Sequence, residues 1–145
     1  MLALDASRAA IEHLQHVAQQ DALTLRAEEA DLRLYEIAED FDSIVCIGLL
    51  MFFDCPSARR QLSQLQDRLR PGGVAVVNVL IEGTTFMDMF APEGYCLLTS
   101  AELLAQFAGW EILSYSTQEF PAPGNTRKVF ATSIVRKPHA ARTDA

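Results

Sequence analysis

Two carboxylates of this 145-residue chain follow apolar or strand-like runs and are the side chains most suited to binding a polar ligand. Asp5 ends the apolar run Leu2–Leu4, and Asp31 follows a strand-like run and a short acidic stretch. A carboxylate at the carboxyl end of a strand can accept two hydroxyl hydrogen bonds, and open α/β sheets bind ligands at these ends. Helix capping or plain solvent exposure remains an alternative for each acid.

The cysteine and histidine residues indicate no metal site. Cys46, Cys55 and Cys96 are widely spaced without a Cys-x-x-Cys pair, so we expect neither a disulfide framework nor a zinc site. Cys46 lies in an apolar run and is predicted to be a buried small hydrophobe, whereas the other two cysteines are predicted in loops. His13 and His16 share one face of a predicted helix, where solvation is favoured over metal ligation. The catalytic residues stay unassigned.

Composition limits the kind of partner that the chain can bind. With 19 acidic and 12 basic residues, the net charge of -7 argues against a large nucleic-acid footprint. No apolar run approaches the ~20 residues that a membrane helix requires, and the N-terminus lacks the features of a signal peptide. We therefore expect a cytoplasmic protein with a small-molecule partner, and neither nucleic acid nor membrane.

The hydrophobic pattern predicts alternating strands and helices, typical of an α/β fold with a mostly parallel sheet. Ser43–Leu50 is almost continuously apolar and is predicted to be a central strand covered on both faces. We expect one domain over residues 1–136 and a flexible tail over 137–145. The other predicted strands are Met1–Asp5, Leu23–Ala27, Val74–Ile81 and a terminal hairpin of Trp110–Phe120 and Thr126–Arg136; the predicted helices begin after Ser7, at Ser57 and at Ala101, the last of them ending at Phe107.

Four segments in this order resemble motifs of the class I S-adenosylmethionine-dependent methyltransferases: Ala3–Ser7, Ala30–Leu32, Phe41–Phe52 and Leu69–Gly73. Within that class, Gly109–Tyr115 and Phe130–Pro138 are most similar to the tellurite-resistance methyltransferase group. The resemblance implies a truncated Rossmann-like methyltransferase fold whose sheet ends in an antiparallel C-terminal strand pair. The family's first strand and its acidic-x-Gly-x-Gly loop have no counterpart here.

The resemblance also implies a cofactor site for S-adenosylmethionine. Asp5 with Ala6 corresponds to the ribose-binding motif, and Asp31 with Leu32 to the motif that meets the adenine amino group. Cys46 and Gly48, in the segment resembling the fourth strand and its loop, complete the predicted cofactor-binding set. Since the glycine-rich loop is missing, the resemblance implies weak or lost cofactor binding.

In the family that the sequence resembles, the first strand lies in the middle of the sheet. Without it, the strands on either side of it would each lack a pairing partner. Unpaired backbone groups in a buried gap cost about 1–3 kcal/mol each. Either the strand at Leu2–Leu4 pairs directly with the strand at Ile44–Gly48, or another polypeptide fills the space. A homodimer is the simplest second solution.

The main functional hypothesis is therefore a methyltransferase-like protein for a small-molecule acceptor of the tellurite-resistance type, inactive as this chain if the missing loop is essential. The alternative is a non-catalytic dimeric binding or interaction module derived from a methyltransferase. A truncated gene prediction is a third explanation of the start at Met1. The apolar segment Phe86–Tyr95 is open to three interpretations: a substrate lid, a plain cap or a partner contact.

Overall fold

A computed structural model describes residues 1–141, which form two compact units divided between Glu36 and Ile37. The division of the chain into a domain over 1–136 and a tail over 137–145 stays a prediction, and residues 142–145 of that tail lie outside the described residues. None of the helices within 1–141 is long and apolar enough to cross a membrane.

The first unit is a β-α-β arrangement of β1 (Leu2–Asp5), α1 (Arg8–Gln20) and β2 (Arg26–Glu29). Ser7 caps α1, as predicted: its side chain accepts the Ala10 N–H at 3.3 Å. The two strands are parallel, with Asp5 opposite Glu29. β2 starts three residues later than predicted, because the Leu23 and Leu25 N–H groups bond to Ala18 and Leu23 carbonyls in the preceding turn.

The second unit is a four-stranded sheet with helices. The strand order is β3-β4-β6-β5; β3 and β4 are parallel, and β6 is antiparallel to both β4 and β5. Parallel strands followed by an antiparallel C-terminal pair confirm the predicted α/β class. The elements are β3 (Phe41–Ile47), a 3-10 turn (Leu50–Phe52), α2 (Cys55–Arg68), β4 (Leu69–Leu80), α3 (Ser100–Ala105), β5 (Glu111–Ala122) and β6 (Thr126–Arg136).

Capping and turn geometry explain two shifted boundaries of the second unit. α2 begins two residues before the predicted Ser57, because the Asp54 carboxylate accepts the Ser57 N–H at 2.9 Å and so caps the helix. β4 begins at Leu69 rather than Val74. The Gly72 N–H donates to the Lys137 carbonyl at 3.0 Å, so the Gly-Gly turn pairs with the chain that follows β6.

The prediction that β3 is a central strand covered on both faces is wrong. β3 is an edge strand of its sheet, and the side chains of Val45 and Ile47 are 66% and 63% exposed. Of the two arrangements expected around the missing strand, direct pairing of Leu2–Leu4 with Ile44–Gly48 is not observed within residues 1–141, where β1-β2 and β3-β4-β6-β5 are separate sheets. A continuous apolar run shows which side chains a strand carries, but it does not show whether another element packs over them.

The expectation of no disulfide is also wrong. Cys55 and Cys96, 41 residues apart, form a disulfide with an S–S distance of 2.02 Å. Cys55 is the first residue of α2 rather than a loop residue. The fold brings the two cysteines together because the Cys96 N–H donates to the Met51 carbonyl at 3.0 Å, just before α2. Spacing along the chain could not indicate this pairing.

Cys46 is the free cysteine of the described residues, and it is buried as predicted. Burial raises the pKa of its thiol to about 11 from an ordinary value of 9.0. In the unfolded chain the thiol therefore loses its proton first as the pH rises past about 9. The free energy of unfolding should fall over this range, and the contribution is fully present only below it.

We expect Cys46→Ala to remove this pH dependence. Between about pH 8 and pH 11, the free energy of unfolding of the parent protein should fall by about 2–3 kcal/mol more than that of the variant. Urea unfolding at several pH values measures the difference, with Cys55→Ser and Cys96→Ser in both proteins to prevent disulfide exchange. Parallel pH profiles of parent and variant would show that the Cys46 thiol titrates normally.

Candidate functional site

Asp5 and Asp31 lie at the same edge of the first unit. β1 and β2 run parallel, so their carboxyl ends meet, and the Ala30 N–H donates to the Asp5 carbonyl at 3.0 Å. Asp31 is the next residue of the chain, immediately beyond this contact. The structure thus places both predicted carboxylates where α/β folds bind ligands.

The Asp5 carboxylate is exposed, and one of its two oxygens accepts a hydrogen bond within the local turn. Its Oδ1 accepts the Ser7 N–H at 2.7 Å, which fixes the turn between β1 and α1. Ser7 rather than Asp5 caps the helix, so capping does not account for Asp5. Ala6, between them, is exposed. The second oxygen, Oδ2, has no protein partner within residues 1–141 and is available to a hydroxyl donor.

The Asp31 carboxylate is bound by Arg33. Its Oδ1 accepts the Arg33 backbone N–H at 3.1 Å and Nε–H at 3.0 Å, and Oδ2 accepts Nη2–H at 3.0 Å. The hydrogen bond from the Arg33 side chain holds the pKa of Asp31 below its ordinary value, so the carboxylate stays ionised. Asp31 starts a turn rather than a helix, because its carbonyl accepts the Leu34 and Tyr35 N–H groups. Leu32 is half-buried within that turn.

The other two predicted site residues belong to the second unit and differ from each other. The side chain of Cys46 is only 6% exposed, and its protonated thiol has little access to a ligand. Gly48 follows β3 with φ +66°, a conformation that favours glycine, and its N–H donates to the Asn78 carbonyl at 2.9 Å. Gly48 therefore turns the chain at the carboxyl end of β3.

An aromatic cluster just beyond Gly48 was only partly anticipated. Phe90 lies between Phe52 and Tyr95, with ring-centroid distances of 5.4 Å and 5.2 Å. Phe52 and Tyr95 are 42% and 40% exposed, so the cluster presents an aromatic surface. The sequence singled out Phe86–Tyr95 but not Phe52, which is distant in the chain. The sequence feature that could have indicated Phe52 as a site residue is its position shortly after the end of β3.

A cleft of about 520 Å³ lies at the tip of the β5–β6 hairpin. Its basic side chain, Arg127, is already engaged: Nε–H donates to the Gly83 carbonyl at 3.0 Å, and Nη1 lies 3.6 Å from Glu119. The cleft contains none of the predicted site residues, and its open, polar wall offers no cluster of unpaired groups. It is lined by Thr85, Glu119, Pro121, Asn125, Thr126 and Arg127.

Comparison with known structures finds the same fold in several methyltransferases. TehB from Haemophilus influenzae aligns over 94% of this chain and 49% of its own, with a TM-score of 0.78 and 19% identity. The N-methyltransferase NodS from Bradyrhizobium japonicum, solved in complex with S-adenosyl-L-homocysteine, aligns over 95% of this chain and 66% of its own, with a TM-score of 0.68 and 15% identity. At these identities the likeness shows the fold alone.

Sequence comparisons extend this result. Hemagglutinin 1 from Eikenella corrodens is 26% identical over 114 residues, which are 78% of this chain. The chain spans only 37% of the length of that protein and about half of TehB. The methyltransferase domain family matches residues 1–73, half of the chain, which include β1, β2, β3 and the turn before Val74. The chain therefore belongs to the methyltransferase domain family, within the class I S-adenosylmethionine-dependent methyltransferases.

Proposed function

We propose that this chain binds the adenosine part of S-adenosylmethionine through Asp5 and Asp31 and acts on a small-molecule methyl acceptor. The observation that carries the proposal is the shared carboxyl edge of β1 and β2, where both carboxylates lie on a chain of this family. Asp5 offers a free oxygen to the ribose hydroxyls. Asp31 offers a carboxylate that stays ionised.

The hydrogen-bond acceptors at this edge fit a nucleoside. Ribose presents two neighbouring hydroxyl donors and adenine an amino donor, and a carboxylate is an acceptor for each of them. Ala6, next to Asp5, is small and exposed, which leaves room beside the carboxylate. An amino group at Asp31 shares that carboxylate with Arg33, whose contact is solvent-exposed and therefore weak.

The fit covers only part of the cofactor. The first glycine of the chain is Gly48, so no glycine-rich turn stands between β1 and α1 or before them in the 145 residues. Glycines in such a turn allow the backbone to approach a ligand at a helix N-terminus. The bound cofactor supplies a sulfonium that already activates the methyl group. The residues of the chain then contribute mainly by positioning the acceptor.

The aromatic cluster of Phe52, Phe90 and Tyr95 supports an acceptor that is flat or apolar. Its rings are half-exposed, with one tilted and one stacked pair, and such surfaces bind aromatic or cationic groups. Neither 48–55 nor 87–96 contains Lys or Arg, whereas both contain carboxylates. A tellurite-type oxyanion, predicted from the C-terminal motifs, would find no cation in these segments, so we favour an uncharged or cationic organic acceptor.

The alternative function, a dimeric binding module in the cytoplasm, is supported by the free edge of β3. Within its own unit β3 pairs on one side only, with β4, and the side chains of Val45 and Ile47 are mostly exposed. Exposed edges of this kind accept a further strand. We propose that a strand of a second copy pairs there.

Isothermal titration with S-adenosylmethionine and S-adenosylhomocysteine tests the first proposal. An intact site with a Kd of ~1 μM that loses 3–4 kcal/mol through the missing turn would bind at ~1 mM. We therefore expect weak but saturable binding, reduced about tenfold or more by Asp5→Asn or Asp31→Asn, since a hydrogen bond to a charged group is worth ~1.5–3 kcal/mol. Asp21→Asn, an exposed acid at the end of α1, is the matched control. Binding that neither variant weakens would contradict the proposal.

Light scattering coupled to gel filtration tests the second proposal. We expect a dimer at micromolar concentration, and a monomer for the double variant Val45→Lys/Ile47→Lys, because charged side chains on an edge strand oppose strand pairing. The variant Ile112→Lys/Leu113→Lys changes two exposed apolar residues on β5, the opposite edge of the sheet, and should remain dimeric. A monomeric parent protein, or a dimer lost only in the β5 variant, would exclude pairing at β3.

A further inference from the structure

The Cys55–Cys96 disulfide closes a junction between two segments that are distant in sequence. Cys55 starts α2, and Cys96 follows the loop of residues 87–95, which carries Phe90 and Tyr95 of the aromatic cluster. The same junction contains the Cys96 N–H bond to Met51 and the contact between the Phe52 and Phe90 rings. The bridge therefore joins the two sides of the aromatic cluster covalently.

The rest of the loop depends on this junction. Before it, the Phe86 N–H donates to the Arg127 carbonyl at 3.1 Å, and after it the Leu98 carbonyl accepts the Glu82 N–H at 2.9 Å. Within residues 87–95 the backbone hydrogen bonds are local, from Phe90 to Met87 and from Gly94 to Ala91. The bridge and the ring contacts thus hold residues 87–95 against the turn after β3.

The two sulfurs differ in their surroundings. Cys96 is only 4% exposed, whereas Cys55 is half-buried at the first position of a 14-residue helix. Cys55 is the more accessible of the two and is therefore the one that an external thiolate attacks, and the helix N-terminus stabilises the Cys55 thiolate that leaves in the second step. In a cytosolic protein a disulfide is usually transient, catalytic or redox-sensing.

We propose that the Cys55–Cys96 bridge is a reversible redox latch on residues 87–95. A thiolate of an external dithiol attacks the Cys55 sulfur, the S–S bond breaks, and the Cys96 thiolate takes up a proton. The second thiol of the dithiol then displaces Cys55, which leaves two protein thiols and the oxidised, disulfide form of the dithiol. Reduction frees the loop and separates Phe90 and Tyr95 from Phe52, while the sheet stays folded. This proposal does not depend on cofactor binding.

Alkylation and proteolysis test the latch on the whole chain. After alkylation in denaturant, the protein purified without reductant should carry one adduct, at Cys46, and the dithiothreitol-treated protein three, because the chain has three cysteines. Chymotryptic cleavage at Phe90 or Tyr95 should become about tenfold or more faster after reduction, because local opening exposes the loop. Far-UV circular dichroism should not change.

The variant Cys55→Ser/Cys96→Ser is expected to be cleaved at the rate of the reduced protein, with or without dithiothreitol. Cys46→Ala should respond to reduction as the parent does. If the double variant does not fold, the comparison of oxidised and reduced parent protein decides alone. Three adducts without reductant would show that no bridge forms. Loss of the circular dichroism signal, or an unchanged cleavage rate after verified reduction, would equally overturn the latch.

Discussion

The central position of β4 is the constraint on which the arrangement of the second unit depends. Its residues Val74–Asn78 pair with β3 on one side and with β6 on the other, so their backbone groups are satisfied inside the sheet. The strand is also densely buried: Val77 and Leu80 are each 1% exposed. β4 is parallel to β3 and antiparallel to β6. The carboxyl ends of β3 and β4, which lead into the segments of the aromatic cluster, therefore lie at the same end of the sheet.

The same constraint explains why β3 and β5 carry the exposed apolar side chains of the sheet. Both are edge strands, and edge strands have one row of backbone groups without a ladder partner. β5 pairs with β6 in a hairpin, so the backbone edge of β5 that faces β6 is paired along its whole length. The backbone edge of β3 that points away from β4 has no partner in its own sheet, and this edge is the structural reason for proposing a further strand there.

Local sequence patterns predicted which segments form strands and helices better than they predicted what packs around those segments. Ser7 and the helical spacing after it identified α1, and the apolar run ending at Asp5 identified β1, because capping and periodicity are local properties. The exposure of Val45 and the pairing of Cys55 with Cys96 depend on elements distant in the chain. No local pattern reports such contacts, which is why both expectations were wrong.

The candidate site shows the same division between local and distant information. The positions of Asp5 and Asp31 at strand ends followed from the sequence, whereas their hydrogen bonds did not. Arg33, two residues after Asp31, occupies the carboxylate from one side, but an exposed ion pair of this kind exchanges readily with another donor. In the binding mode proposed above, the acids at the β1–β2 edge are therefore not what limits cofactor affinity. The limit is the backbone that would surround the rest of the ligand, because two carboxylates bind hydroxyl and amino groups but cannot position a methyl group for transfer.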